Sequence, residues 1–138
     1  MSDVPIERLV EAAQYLGRSG FVVADVGQLS SRPMHWSSIV CAASDRTTLV
    51  VRACYLALRR TQRLAAGFDD VVELVEPGRA LRTVDIEAVV GQPITARGPV
   101  DPAVARAADA GLLRRRLPRS LRRTISDLVS VVDAAVPA

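Results

Sequence analysis

The chain has 138 residues, 49% of them hydrophobic and 24% charged, with a formal net charge of +3. Its 18 strongly basic residues are all arginine, and it contains neither lysine nor asparagine. Chemistry that needs a lysine is therefore excluded: a phosphate-loop lysine, a Schiff base and a lysine general base. The length fits one domain, and because aromatic residues make up only 4% of the chain, its core must be aliphatic.

The sequence predicts a cytoplasmic protein with no metal site and no membrane span. Its first twenty residues lack the apolar segment of a signal peptide. No run approaches the roughly 18 apolar residues that a membrane helix needs. Cys41 and Cys54 lack metal-ligand spacing and are expected to be free thiols, and His35 is the only histidine.

Helical and strand patterns alternate along the chain. Residues with apolar spacing typical of helices lie at 5–17, 36–44, 53–66, 83–90, 102–110 and 119–135. Short apolar runs typical of buried strands lie at 21–27, 47–51, 71–75 and 93–97. A loop is expected at 28–34, Gly67 and Gly91 would end the helices before them, and Asp101 would cap the helix that follows.

This alternation predicts a single three-layer α/β domain over residues 1–138, with about four mostly parallel strands and helices on both faces. Ligands of such sheets gather at the carboxyl ends of the strands. Those ends carry two carboxylate-glycine pairs, Asp25 with Gly27 and Glu76 with Gly78. Asp25 could orient a magnesium ion, or it could simply cap the next turn.

Three segments in order resemble the C-terminal part of ParA/MinD-type NTPases, including the CpaE-like, septum-site-determining branch. They are FVVADVG, then DRTTLVVRACYLALRRTQRL, then VELVEPGRALRTVDIEAVVGQPITARGPVDPAVARAADAGLL. The first resembles the Walker B strand of that family. The resemblance covers residues from about 6 to 130 and rests on the order and spacing of these segments. It implies a partial P-loop NTPase-like fold.

The resemblance also implies a nucleotide site at the strand ends. By position, Asp25 with Gly27 corresponds to the Walker B acid and its turn. Residues matching the nucleotide-base pocket are Glu76, Pro77, Pro99, Val100 and Asp101. The family often has asparagine where this chain has Glu76, which argues against the usual adenine recognition. The glycine-rich phosphate loop and its lysine are not in this sequence.

In the family, the strand that bears the phosphate loop lies between the strands matching 21–27 and 47–51. Without it, backbone groups would be left unpaired, at a cost of about 1–3 kcal/mol each. We therefore expect either that these two strands pair directly or that a second chain fills the gap, as in a homodimer.

An arginine-rich segment, LLRRRLPRSLRR, occupies residues 112–123 and contains no acidic residue. Its basic side chains are Arg114, Arg115, Arg116, Arg119, Arg122 and Arg123. It could bind nucleic acid, anionic lipid or an acidic protein, or it could be a solvated helix junction in an arginine-biased protein. No aromatic residue interleaves with the arginines, which argues against base stacking.

The sequence thus favours a non-catalytic relative of ParA/MinD/CpaE-type NTPases that acts through protein partners, including copies of itself. Its role would be positioning, partition or secretion-system assembly. One alternative is a nucleotide-binding subunit whose ATP and magnesium site another chain completes. Another is a DNA-binding accessory that uses the arginine-rich segment.

Overall fold

The structure, a computed structural model, describes residues 5–30, 35–64 and 67–135, with side chains as far as residue 130. Two compact units can be distinguished. One is Met1–Thr47 with Arg63–Ala66, and the other is Thr48–Gln62 with Gly67–Ala138.

The first unit contains two helices, α1 (Ile6–Gly17) and α2 (Trp36–Ala42), both close to the predicted bounds. Along α1 the apolar spacing forms a stripe, but Leu9 and Leu16 on it are 40% and 56% exposed. The His35 ring caps α2 by accepting a hydrogen bond from the Ser37 amide at 3.3 Å. The loop predicted at 28–34 lies partly outside the described residues.

The prediction of a strand at 21–27 is wrong, because the structure has no strand there. Phe21 and Val23 are almost fully exposed, at 105% and 94%. A strand is stable only when a neighbouring strand bonds its amide and carbonyl groups, and an apolar run cannot supply that neighbour itself. The expected direct pairing of this segment with the next strand is therefore wrong as well.

The second unit is built on a parallel sheet of three strands in the order β1, β2, β3. They are β1 (Thr48–Arg52), β2 (Asp70–Val75) and β3 (Ala96–Pro99). The helices of this unit are α3 (Tyr55–Thr61), α4 (Thr83–Val90), α5 (Pro102–Asp109) and α6 (Arg119–Ala135). The α/β class and the parallel pairing predicted from the sequence are confirmed.

Helices cover both faces of this sheet. Because parallel crossovers are right-handed, α3 and α4 lie on the same face, and they contact each other. On the other face α6 packs against β3, where a Cβ on Gly98 would come within 2.5 Å of Thr124 Oγ1. These are the three layers expected from the sequence.

The core is aliphatic and lies between the sheet and the helices. Its buried apolar side chains are Leu49, Val51, Ala53, Leu58, Val71, Val72, Ile86 and Ala96. Coverage is uneven: Val50, on the face of β1 opposite Leu49 and Val51, is 58% exposed. The α6 face of the sheet is thus well covered near β3 and open near β1.

Several predicted boundaries are confirmed, and two are not. Helices α4, α5 and α6 begin and end close to their predicted bounds, and Gly91 ends α4 with a φ of 80°. Helix α3 stops at Thr61, well before Gly67; the Thr61 hydroxyl donates to the Ala57 carbonyl, a bond that weakens helix propagation.

Strand β3 begins at Ala96, three residues later than predicted. Pro93 has no amide to give to a sheet. The Ile94 amide donates to Glu87 Oε1 at 3.0 Å, a side chain of α4, so it does not join the ladder. Thr95 is the first residue of this segment that bonds to β2: its amide donates to the Val71 carbonyl, and its hydroxyl accepts from the Val71 amide.

Candidate functional site at the strand ends

The carboxyl ends of the three parallel strands meet at one edge of the sheet. There β1 ends at Arg52, β2 at Val75 and β3 at Pro99. The Val100 amide donates to the Val75 carbonyl at 2.9 Å, which keeps the segments leaving β2 and β3 side by side. Residues that follow these strands therefore share one surface.

Glu76 is the centre of this surface. Its carboxylate accepts hydrogen bonds from Arg52, across the sheet, and from Arg79 Nε at 2.5 Å. Gly78 takes a positive φ of 78°, which lets the chain turn back sharply enough for Arg79 to reach Glu76. The Glu76 side chain is 17% exposed, so the two guanidinium groups shield most of it from water.

A cavity of about 460 Å3, shallow and widely open to solvent, lies beside this cluster. It is lined by Glu76, Pro77, Gly78, Arg79 and Val100. Three residues predicted to contact a nucleotide base, Glu76, Pro77 and Val100, therefore lie together. The sequence places Arg79 at the same strand end but predicts no role for it; the turn-forming Glu-Pro-Gly before it was the available signal.

Asp101 was also predicted to line the nucleotide-base pocket, but its carboxylate bonds to two helices. Its Oδ1 accepts from the Ala103 amide at 2.8 Å, as an N-cap of α5, and its Oδ2 accepts from Ser120 Oγ at 2.6 Å. The Ser120 hydrogen bond, and after it the Ala103 amide, lower the pKa of the Asp101 carboxyl below its ordinary value. The neighbouring Pro99 is exposed at the end of β3.

Asp25 and Gly27 belong to the first unit of the chain. Asp25 Oδ1 accepts a hydrogen bond from the Gly27 amide at 2.8 Å, and Gly27 has a φ of 61°. This is a local turn in which the carboxylate bonds to its own backbone. It matches the simpler of the two interpretations given to Asp25 above, a carboxylate that caps the next turn.

A buried polar network that the sequence analysis missed lies behind the strand ends. Glu73, in the middle of β2, is 2% exposed. Its Oε2 accepts from Thr83 Oγ1 at 2.8 Å and from Arg97 Nε at 2.9 Å, which links β2 to α4 and β3. A glutamate inside the apolar run VVELV was the sequence signal, because a buried carboxylate needs such partners.

Cys54 occupies the N-cap position of α3 next to the same edge, and its side chain forms no capping hydrogen bond. The backbone amides of Ala57 and Leu56, supported by the charges of Arg79 and Arg52, lower the pKa of its thiol. Both cysteines are free and half-buried. In the described part of the chain no three histidine, cysteine or acidic side chains cluster in a way that could hold a metal ion.

The predicted basic residues form a second candidate surface. Arg114, Arg115 and Arg116 follow α5, in a turn closed by hydrogen bonds from the Arg115 and Arg116 amides to the Leu112 carbonyl. The first turns of α6 carry the others, Arg119, Arg122 and Arg123. All six are exposed. Among the described residues, no helix is long and apolar enough to cross a membrane.

Comparison with known proteins supports the fold and goes no further. No protein-family model matches the sequence, and neither does any curated protein. Among solved structures, the ParA family ATPase from Chlorobium tepidum TLS superposes with a TM-score of 0.67 at 19% sequence identity. The match covers 91% of this chain and 56% of that one, so this chain spans little more than half of the ATPase. The chain has a ParA-like fold.

Proposed function

We propose that this chain is a non-catalytic relative of ParA/MinD/CpaE-type NTPases that works in the cytoplasm through protein–protein contacts. Positioning, partition and secretion-system assembly are the processes that suit such a domain. The ParA-like fold supports the relationship. The closed charge cluster at the strand ends supports the loss of catalysis.

That cluster is the observation on which the proposal rests. A bound nucleoside triphosphate needs free cations for its phosphates. Here Arg52 and Arg79, the cations at the strand ends, are both bonded to Glu76. A nucleotide would have to compete with Glu76 for both guanidinium groups, and the sequence has no lysine that could take their place. Asp25, the proposed magnesium acid, accepts a bond from its own turn.

A nucleotide titration tests this proposal. Ligand at about 100 times its Kd would stabilise the folded state by about 2.7 kcal/mol, which a thermal-shift assay detects easily. We expect no change in Tm with millimolar Mg-ATP or Mg-ADP, and no heat in calorimetry. A saturable shift with either nucleotide would contradict the proposal.

The cavity of about 460 Å3 favours one alternative, a nucleotide site that another chain completes. Such a site would bind nucleotide more tightly as the protein concentration rises, because assembly and binding would be coupled. The same titration repeated over a tenfold range of protein concentration therefore separates the two functions. A nucleotide affinity that rises with protein concentration would support the alternative.

A further inference from the structure

Six exposed arginines form a surface that has no part in the proposed nucleotide site. We call it the arginine surface; it consists of Arg114, Arg115, Arg116, Arg119, Arg122 and Arg123. Six of the ten residues from Arg114 to Arg123 are arginine. All are exposed, and none forms an ion pair with a carboxylate in the described part of the chain. So many unpaired like charges repel one another and would be stabilised by an anionic partner.

Apolar side chains border these arginines. Ile125 and Val129 lie one turn apart on α6 and are 40% and 47% exposed, and Leu112 before the arginines is 47% exposed. Arg122 lies three residues before Ile125, so the two share one side of the helix. The surface thus offers guanidinium groups and aliphatic contacts together.

This combination distinguishes between the kinds of anionic partner. Duplex DNA needs cations for its phosphates but gains little from isoleucine and valine. A membrane needs a long, continuous apolar face, but α6 packs against β3 and leaves only a small apolar patch beside the arginines, Ile125 and Val129, partly exposed. An acidic protein segment with its own apolar residues fits both features, since carboxylates pair with arginine in a two-pronged geometry.

We propose that the arginine surface, together with Ile125 and Val129, is the docking site for an acidic amphipathic segment of a partner protein. This inference rests on the proposed function, because it names the surface through which the protein contacts would be made. Carboxylates would pair with the arginines, and leucine-like side chains would cover Ile125 and Val129.

The test uses the full chain and a fluorescent peptide of about 16 residues with glutamates on one helical face and leucines on the other. Fluorescence anisotropy measures its Kd at two salt concentrations. We expect saturable binding that weakens with salt. The double variant Arg114→Glu/Arg115→Glu should weaken binding roughly tenfold or more. These two arginines are exposed in a turn, so the fold should survive, which circular dichroism checks.

A matched control is the variant Arg59→Glu/Arg60→Glu, which reverses the same charge on exposed residues of α3. It should bind the peptide like the original chain. A second variant, Ile125→Ser/Val129→Ser, should weaken binding without changing the salt dependence. This separates an amphipathic partner from one recognised by charge alone.

Several results would overturn the inference. One is tighter binding of a duplex DNA or a phosphatidylserine vesicle than of the peptide. Another is equal weakening by the α3 control, or no effect of Ile125→Ser/Val129→Ser. Absence of any peptide binding would also overturn it. None of these results bears on nucleotide binding, so the proposed function stands or falls separately by its own titration.

Discussion

At the scale of single residues, Asp101 shows how one carboxylate can join three elements. It follows β3, caps α5 and accepts a hydrogen bond from Ser120 of α6. The Asp-Pro pair predicted the cap, because an N-cap is a local pattern. The Ser120 contact, 19 residues away, was invisible to local rules, and it is what commits Asp101 to structure.

Asp101 should make stability depend on pH. Its pKa is lowered in the folded state, chiefly by Ser120, so the ionised form stabilises the fold above the unfolded pKa. That stabilisation is lost as the pH falls through the folded pKa. We expect Tm to fall as the pH drops from about 5 to about 3. Because Asn still caps but does not titrate, Asp101→Asn should have a flatter profile.

Thermal unfolding followed by circular dichroism at several pH values checks this. Asp109→Asn is a suitable control, because Asp109 is exposed at the end of α5 and is neither its N-cap nor its C-cap residue. Its pH profile should match that of the original chain. An Asp101→Asn profile as steep as the original would show that other carboxylates control the acid transition.

At the scale of elements, the packing of α6 on the sheet depends on the absence of a Cβ atom at Gly98. A Cβ at Gly98 would lie 2.5 Å from Thr124 Oγ1 and 3.2 Å from Thr124 Cβ. The helix can therefore approach β3 this closely only because residue 98 is glycine. The sequence predicts both elements but not their contact, because helical periodicity indicates which face of α6 is apolar and not how closely that face approaches the sheet.

The variant Gly98→Ala should be destabilised by roughly 1–3 kcal/mol, because overpacking forces α6 to shift. Denaturant unfolding measures this free energy. The double variant Gly98→Ala/Thr124→Ala should recover part of the loss. Gly17→Ala serves as a control, since a Cβ there meets nothing within 4 Å. Equal costs at Gly17 and Gly98 would contradict the argument.

The strands show why part of the fold could be predicted and part could not. Apolar runs predicted β1 and β2 almost to the residue, and the segment 21–27 had the same kind of run. The difference is the partner: β1 and β2 pair with each other, whereas no strand of the described chain pairs with 21–27. Local composition favours an extended backbone, but a segment becomes a strand only when a neighbouring strand bonds its amide and carbonyl groups.

At the scale of the whole molecule, β1 is an edge strand of the sheet: among the described residues it pairs with β2 alone. An edge strand can accept a further strand through its outward amide and carbonyl groups, and Val50 on this strand is exposed. The expectation that a second copy fills this edge stays a prediction. Light scattering after size exclusion should find a dimer, and Val50→Glu should shift it towards monomer because a buried charge opposes association.

Val84→Glu provides the matched control for that experiment. Val84, on α4, is 55% exposed, close to the 58% of Val50, so the substitution adds the same charge elsewhere. It should leave the dimer intact. A monomeric original chain at all concentrations would contradict the prediction, and equal effects of the two variants would place the interface away from β1.

The order of the strands has a consequence for how the sheet folds. Each strand pairs with the next one along the chain, and paired residues are only 22 positions apart between β1 and β2 and 24 between β2 and β3. Short separations keep the entropy of loop closure low, and low contact order accompanies fast folding. The three-stranded unit can therefore assemble one βαβ step at a time, from β1 towards β3, in the order in which a ribosome releases it.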